Sequence, residues 1–192
     1  PGRIEKSLGI PVYATVQYSK YQKLIEKKLK SEPISGNHPP LLLALENKED
    51  LAMESLRSLR TTLHFAFLEA HNNIVMITGP SPGIGKTFVS ANLAVTMADA
   101  GKKVLLIDGD LRRGNIHKHM RLSRENGLSE LISRSIDLND AIKSIPLAAI
   151  DFIPTGKVPP NPSELLLHER FGQLLETVSN QYDLVIIDSP PI

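Results

Sequence analysis

A glycine-rich stretch, Gly79–Thr87, contains the residue types that bind phosphate groups; its sequence is GPSPGIGKT. Gly83 and Gly85 allow backbone N–H groups to turn towards phosphate oxygens, and Lys86 adds a positive charge. The Thr87 hydroxyl is a ligand that Mg²⁺ accepts in loops of this composition. The stretch therefore predicts a loop that binds the phosphates of a nucleotide.

This loop departs from the strict phosphate-loop pattern at one position. The pattern places a glycine at position 80, where this chain has Pro80, and Gly79 lies one place too early. The alternative is a glycine-rich turn that contains Gly-Lys-Thr by chance. An apolar run before the loop and a helical pattern after it favour phosphate binding, because a phosphate loop lies between a strand and a helix.

Carboxylates follow two further apolar runs. Asp108 and Asp110 come after Val104–Ile107, and Asp188 comes after Leu184–Ile187. The carboxyl ends of parallel strands meet at the edge of the sheet where such folds bind their ligands. One aspartate after a strand is often a turn residue or a helix cap, but three beside a phosphate loop indicate Mg²⁺ and a nucleoside triphosphate.

The elements that must position these residues follow from the spacing of apolar side chains. Continuous apolar runs predict buried strands at 74–78, 104–107, 150–153 and 184–187. Helical spacing predicts helices at 49–70, 86–100, 128–133 and 138–144, and one that begins after an N-cap at Ser163. The apolar face of the first helix comprises Leu56, Leu59, Leu63, Phe67 and Ala70. The predicted fold class is α/β, a P-loop NTPase with a mostly parallel sheet flanked by helices.

Composition limits the function classes. The chain has 192 residues, 41% hydrophobic and 22% charged, which fits one globular domain with appendages. Its net charge of +1 gives no general attraction to nucleic acid. The lack of cysteine excludes disulfides, thiolate metal sites and cysteine nucleophiles. No apolar run approaches the ~20 residues that span a bilayer, so a soluble piece is expected.

The chain divides into a predicted linker, residues 1–40, and a predicted P-loop domain, residues 41–192. The linker contains five prolines and scattered charge, and its short apolar stretch at 10–16 can form a strand. Five lysines lie between residues 20 and 30, a density that suits a segment close to anionic lipid. The alternative, which composition alone favours, is a solvated run of charges.

Five motifs, in this order over nearly the whole chain, resemble those of the bacterial tyrosine kinases, the cytoplasmic domain of capsule and exopolysaccharide co-polymerases. They are Glu54-Ser-Leu-Arg57-Ser-Leu-Arg60, the phosphate loop, Ile107-Asp-Gly-Asp-Leu-Arg112, the proline-rich 156–166 and Asp188-Ser-Pro-Pro191. The second aspartate-bearing strand also resembles the partitioning and septum-site ATPases. Those ATPases carry a signature lysine where this chain has Ser81, and this departure favours the kinases.

The resemblance implies roles for the matching residues. Lys86, Asp108 and Asp110 are the implied catalytic residues. Asp108 would accept the proton of a tyrosine hydroxyl, which has a pKa of about 10 and is protonated at neutral pH. Arg113 either binds phosphate or an acidic tail, or is solvated. The implied ATP-binding residues are Gly83, Ile84, Gly85, Lys86, Thr87, Phe88 and Arg112. The implied Mg²⁺ ligands are Thr87, Asp108 and Asp188.

The resemblance also implies an assembly and a location. It implies a ring-like homo-oligomer with Glu54, Arg57 and Arg60 at the interface and phosphorylation in trans. A cognate tyrosine phosphatase and the polysaccharide export machinery are the other implied partners, without nucleic acid. Residues 1–40 become a juxtamembrane linker after membrane helices upstream of this chain, on the cytoplasmic face of the bacterial inner membrane.

The function that the resemblance implies is an ATP-dependent protein-tyrosine autokinase that regulates capsular and extracellular polysaccharide synthesis and export. Two other functions stay open at this point. One is an ATP-controlled membrane-surface switch of the partitioning type, and the other is a nucleotide-binding scaffold without catalysis.

Overall fold

A five-stranded sheet forms the centre of the computed structural model, which describes residues 2–32 and 38–191. Its strands are β1 (Ile74–Ile77), β2 (Val104–Asp108), β3 (Lys143–Ile145), β4 (Ile150–Ile153) and β5 (Leu184–Asp188). Their order in the sheet is β1-β5-β2-β4-β3. All neighbours pair in parallel except β3 and β4. The predicted α/β class with a mostly parallel sheet is confirmed.

Helices cover both faces of this sheet. In chain order they are α1 (Gly2–Leu8), α2 (Lys20–Ser31), α3 (Leu43–Glu46), α4 (Leu51–Glu69), α5 (Lys86–Ala98), α6 (Ile116–His119), α7 (Leu128–Ile132), α8 (Leu138–Ala141), α9 (Pro162–Leu167) and α10 (Glu169–Ser179). A short 3-10 turn, Pro146–Ala148, joins β3 to β4. None of the helices in the described ranges combines the length and apolarity that crossing a bilayer requires.

Two hydrophobic cores lie on opposite faces of the sheet because side chains alternate along a strand. In β2, Val104 and Leu106 join the core that contains α2, α3, α4 and α5. Leu105 and Ile107 join the core that contains α7, α8 and α10. All five residues of β2 and of β5 are buried, as the continuous apolar runs predict. These two central strands end side by side at the carboxyl edge, where Asp108 and Asp188 are register partners.

Four details of the predicted elements are wrong. The helix predicted over 138–144 ends at Ala141, and Lys143–Ile145 form an antiparallel edge strand. The helix predicted after Ser163 begins at Pro162, because proline suits the first helical turn. Ala70 follows the end of α4 and is exposed. The strand β1 lies at the sheet edge, and 62% of Met76 is exposed.

The predicted linker contains a packed helix, and this is a correction. Ile25 of α2 is fully buried in the first core, with Tyr21 and Leu29 against it. The Ser19 hydroxyl accepts from the Gln22 N–H at the start of α2 and donates to Asp50 at 2.7 Å. The stretch 10–16 forms no strand. Residues 33–37 of the predicted linker lie outside the described residues.

Candidate active site

The glycine-rich loop has the backbone geometry of an anion-binding turn. Gly83 and Gly85 have φ angles of +76° and +97°, in the left-handed region that favours glycine. Gly85 is also the N-cap of α5, so the free N–H groups of this helix point towards the loop. The Lys86 ammonium donates to the Ser81 carbonyl at 3.1 Å and therefore lies over the loop.

The phosphate loop passes close to Gly79, the residue before Pro80. A Cβ atom at Gly79 would lie 2.3 Å from Cδ1 of Ile84 and 3.6 Å from Cδ of Lys86. The loop thus folds back on Gly79, and a side chain there would displace Ile84.

Asp188 connects the end of β5 to the first turns of α5. Its carboxylate accepts hydrogen bonds from the Thr87 hydroxyl at 2.7 Å and from the Ser90 hydroxyl at 2.9 Å. Burial raises the pKa of Asp188, while these two hydrogen bonds lower it and leave a net increase. A hydroxyl and a carboxylate in direct contact are the hard oxygen donors that Mg²⁺ prefers. Sequence reasoning did not identify Ser90, which lies one helical turn after Lys86.

Asp108 lies beneath the surface at the end of β2. It has no exposed area, and its carboxylate accepts from the Ile116 N–H at 3.1 Å and the Asp110 N–H at 3.3 Å. Burial, and then the neighbouring charge of Asp188, raises the pKa of Asp108 to about 8. At neutral pH this carboxyl group is therefore mostly protonated.

A cleft of about 430 Å³ opens where the phosphate loop meets the ends of β2 and β5. Its lining includes five of the predicted site residues with charge or metal-binding capacity, Lys86, Thr87, Asp110, Arg112 and Asp188, together with Arg113. Asp108 is not part of the lining. The structure thus brings the predicted residues to one edge of the sheet. Asp110 is half-buried and lines the cleft, whereas Asp108 is fully buried.

The turn that follows β2 presents two arginines at this cleft. The Asp110 carboxylate accepts from the N–H groups of Arg112 and Arg113 at 3.3 and 3.0 Å. The Arg112 guanidinium donates to the Ser163 hydroxyl at 3.3 Å. At Gly114, a Cβ atom would lie 2.3 Å from the Asp108 carboxylate. Gly114 is therefore a structural requirement of the site, which no spacing rule revealed.

A second cavity, of about 630 Å³, lies on the other side of the loop. It is bounded by the phosphate loop with Phe88, by Asn115, Lys118 and His119 of the α6 region, and by α2. The α2 side chains that line it are Gln22, Glu26, Leu29 and Lys30. The segment predicted to be a linker therefore forms a wall beside the phosphate loop.

The three charged residues predicted for the subunit interface lie on α4. Arg57 donates from Nε to the Glu54 carboxylate at 2.9 Å, and its second nitrogen lies 2.8 Å from the same group. A third Arg57 donor contacts the Lys48 carbonyl at 3.0 Å. Arg60 donates to the Thr96 carbonyl at 3.4 Å. These contacts are within one chain, and the role at an interface stays a prediction.

Comparison with known proteins identifies the family. Residues 72–192 match the AAA domain family. The solved kinase domain of Escherichia coli tyrosine kinase ETK is 46% identical, with a TM-score of 0.86, and the match covers 97% of this chain and 71% of that one. The chain belongs to the bacterial tyrosine kinases.

Further similar proteins support the same family assignment. The putative tyrosine-protein kinase in the cps region of Klebsiella pneumoniae is 47% identical over 194 residues, which is all of this chain and 26% of that protein. The chain thus spans about a quarter of the length of the curated relatives it matches. The septum site-determining protein MinD from Pyrococcus horikoshii, solved with Mg-ADP, is 27% identical with a TM-score of 0.51, over 62% of this chain and 49% of that one. The predicted family and its likeness to septum-site ATPases are confirmed.

Proposed function

We propose that this chain is the catalytic domain of an ATP-dependent protein-tyrosine autokinase that regulates capsular and extracellular polysaccharide synthesis and export. The observation that carries the proposal is the cleft in which Lys86, Asp110 and the Thr87–Asp188 pair meet at the end of a parallel sheet. The names of the kinase relatives support the reaction, and the cps region of one relative supports the pathway. The partitioning-type switch loses support because the relatives with the higher identity are kinases.

The residues around the loop fit ATP with Mg²⁺. Backbone N–H groups from Gly83 to Phe88 would hold the phosphates, with the Lys86 ammonium above them. Arg112 would add a second positive charge at the mouth of the cleft. Thr87 and Asp188 would hold the cation, which neutralises phosphate charge when it is bound. The predicted third ligand, Asp108, is buried behind them.

The tyrosine proton has two candidate acceptors in this proposal. The sequence favours Asp108, but a proton acceptor must be ionised and within reach, and Asp108 is buried with a pKa raised to about 8. Asp110 lines the cleft and is accessible to an incoming hydroxyl, whereas Asp108 is not part of the lining. Asp108→Asn and Asp110→Asn separate the two roles in one assay. The acceptor is the residue whose variant loses turnover by orders of magnitude while it retains nucleotide affinity.

A test of the kinase function replaces Lys86 with methionine in the full-length protein. Lys86 is partly exposed at the cleft, so Lys86→Met removes phosphate charge compensation without opening a core cavity. We expect phosphotyrosine formation to fall by about 100-fold or more, because electrostatic stabilisation of the transferred group is lost. The matched control is Lys102→Met, an exposed lysine outside the cleft. An unchanged phosphotyrosine signal in Lys86→Met, with an equal thermal midpoint, would reject the proposal.

The proposed assembly is a ring-like homo-oligomer in which Glu54, Arg57 and Arg60 contact the next copy and phosphorylation occurs in trans. Within one chain, two nitrogens of the Arg57 guanidinium contact the Glu54 carboxylate, which holds the Arg57 side chain in place and leaves it only partly exposed. Light scattering on the full-length protein tests this: replacing all three residues with alanine should reduce the assembly, and an unchanged mass would contradict it. The proposed partners of the protein are a tyrosine phosphatase and the polysaccharide export machinery. Its proposed location is the cytoplasmic face of the inner membrane.

A further inference from the structure

The outer face of α2 concentrates lysines. At 100° per residue, Lys20, Lys23, Lys27 and Lys30 lie within about 80° of one another and roughly opposite the buried Ile25. All four are exposed. Among the residues that the structure describes, Lys20, Lys23 and Lys27 have no ion-pair partner, whereas Lys28, on the flank, pairs with Glu46 at 3.5 Å. We call Lys20, Lys23 and Lys27 the lysine face.

The lysine face has a fixed orientation because α2 is attached to the domain at both ends. Ser19, the N-cap, donates to Asp50 at 2.7 Å. Glu32, after the last turn, forms an ion pair with the buried Arg121. Between them, Ile25 is fully buried. The lysines are therefore presented by a docked helix, unlike the charges of a solvated linker.

Large apolar and aromatic side chains accompany these lysines. Leu24 lies on α2 beside the lysine face and is 54% exposed, and Tyr18, just before α2, is 70% exposed. The Lys23 ammonium lies 5.5 Å from the centre of the Tyr18 ring. Ile10 and Tyr13, earlier in the same segment, are more than half exposed as well. Tyrosine and leucine next to lysine are suited to the boundary between lipid headgroups and acyl chains.

We propose that the lysine face, with Tyr18 and Leu24, binds the surface of an anionic lipid bilayer. Anionic headgroups form a field of negative charge that attracts ammonium groups without a fixed geometry. The residues 18–31 contain lysines and no arginine, which suits such a field better than bidentate recognition of one phosphate or carboxylate. An acidic protein would satisfy the charges but would leave Leu24 without a reason to be exposed. The inference stands apart from the proposed kinase reaction.

Vesicle co-sedimentation of the 192-residue chain tests this proposal. The probes are vesicles of phosphatidylcholine alone and vesicles with about one third phosphatidylglycerol, at low salt. Each lysine near an anionic surface contributes about fivefold to binding, so replacing Lys20, Lys23 and Lys27 with glutamine should weaken binding to anionic vesicles about 100-fold. Glutamine has nearly the helix propensity of lysine, and circular dichroism checks that α2 is retained.

Two further variants make the result specific. Glutamine at three exposed lysines away from α2, Lys48, Lys102 and Lys157, removes the same charge and should change binding less than fivefold. Leu24→Ser should weaken binding to vesicles severalfold but leave binding to soluble polyglutamate unchanged. The proposal is overturned if the lysine-face variant binds like the wild type, if the control triple variant loses as much, or if polyglutamate binds as tightly as vesicles and Leu24→Ser alters neither.

Discussion

The free energy of unfolding should decrease as the pH rises towards 8, because Asp108 loses a proton in the folded protein. The pKa of Asp108 is raised from the ordinary value to about 8 in the folded state. Between pH 4 and 8 the folded protein therefore retains a proton that the unfolded chain has lost. This stabilisation is complete below the unfolded pKa of about 4 and is lost as the pH passes through the folded pKa.

The expected magnitude follows from the linkage relation. A proton held only in the folded state changes the free energy of unfolding by at most about 1.4 kcal/mol per pH unit. With a folded pKa of about 8, the contribution of Asp108 alone decreases by about 1.6 kcal/mol between pH 6.5 and 8. The histidines His117 and His119 contribute with the opposite sign, because burial lowers the pKa of both rings. Their contribution rises with pH and is nearly complete by about pH 7.5, one unit above the unfolded pKa of about 6.5, so it offsets part of the Asp108 effect below that pH.

Urea unfolding at several pH values from 6.5 to 8 measures this effect in the absence of nucleotide. Asp108→Asn cannot ionise, so its stability should lose the slope, apart from a constant offset for the altered hydrogen bonds to Ile116 and Asp110. The matched control is Asp137→Asn, an exposed N-cap position that tolerates asparagine and should retain the wild-type slope. Parallel curves for the wild type and Asp108→Asn would refute the reasoning.

Three substitutions give further expected outcomes, each measured by urea unfolding at pH 7. Ile25→Ala should cost about 2–5 kcal/mol if α2 unfolds together with the domain, and a separate early transition would contradict this. Gly114→Ala should cost about 1–3 kcal/mol because its Cβ would lie 2.3 Å from the Asp108 carboxylate; Gly172→Ala, where nothing lies within 4 Å, is the control and should not destabilise. Ser90→Ala should cost about 1–3 kcal/mol through the lost 2.9 Å bond to Asp188, and an unchanged stability would show that this bond contributes nothing.

The sequence was sufficient for the centre of the fold because its signals there are redundant. Strands β2 and β5 are apolar at consecutive positions and are buried on both faces. The loop between β1 and α5 contains glycines at the two positions that adopt positive φ. A continuous apolar run indicates a strand buried on both faces, and glycines between a strand and a helix indicate a turn with positive φ. The structure contains both features.

Elements outside the centre depend on contacts that no local pattern specifies. The apolar face of α2 consists of Tyr21, Ile25 and Leu29, one residue per helical turn, with lysines between them. The apolar periodicity of this segment is therefore weak. Strand β3 has three residues and is defined by its pairing with β4. The carboxylates of the site were found from the strand ends, but the burial of Asp108 depends on the Ile116 N–H and on Gly114, which approach it from the following turn.

The Asp50 carboxylate joins the beginnings of two helices. One oxygen caps α4 through the Ala52 N–H at 2.9 Å, and the other accepts from Ser19, the N-cap of α2, at 2.7 Å. Tension applied to the chain before Ser19 therefore meets two polar contacts with α4 before it reaches the apolar contacts of α2, the Ser19–Asp50 bond and the bond from the Gln17 N–H to the Ser55 hydroxyl at 3.4 Å. When the Ser19–Asp50 bond opens, the first turn of α4 loses part of its restraint, and that turn contains Glu54. A mechanical load on the N-terminal segment thus reaches the first turns of α4, next to its charged face, through Asp50 and Ser55.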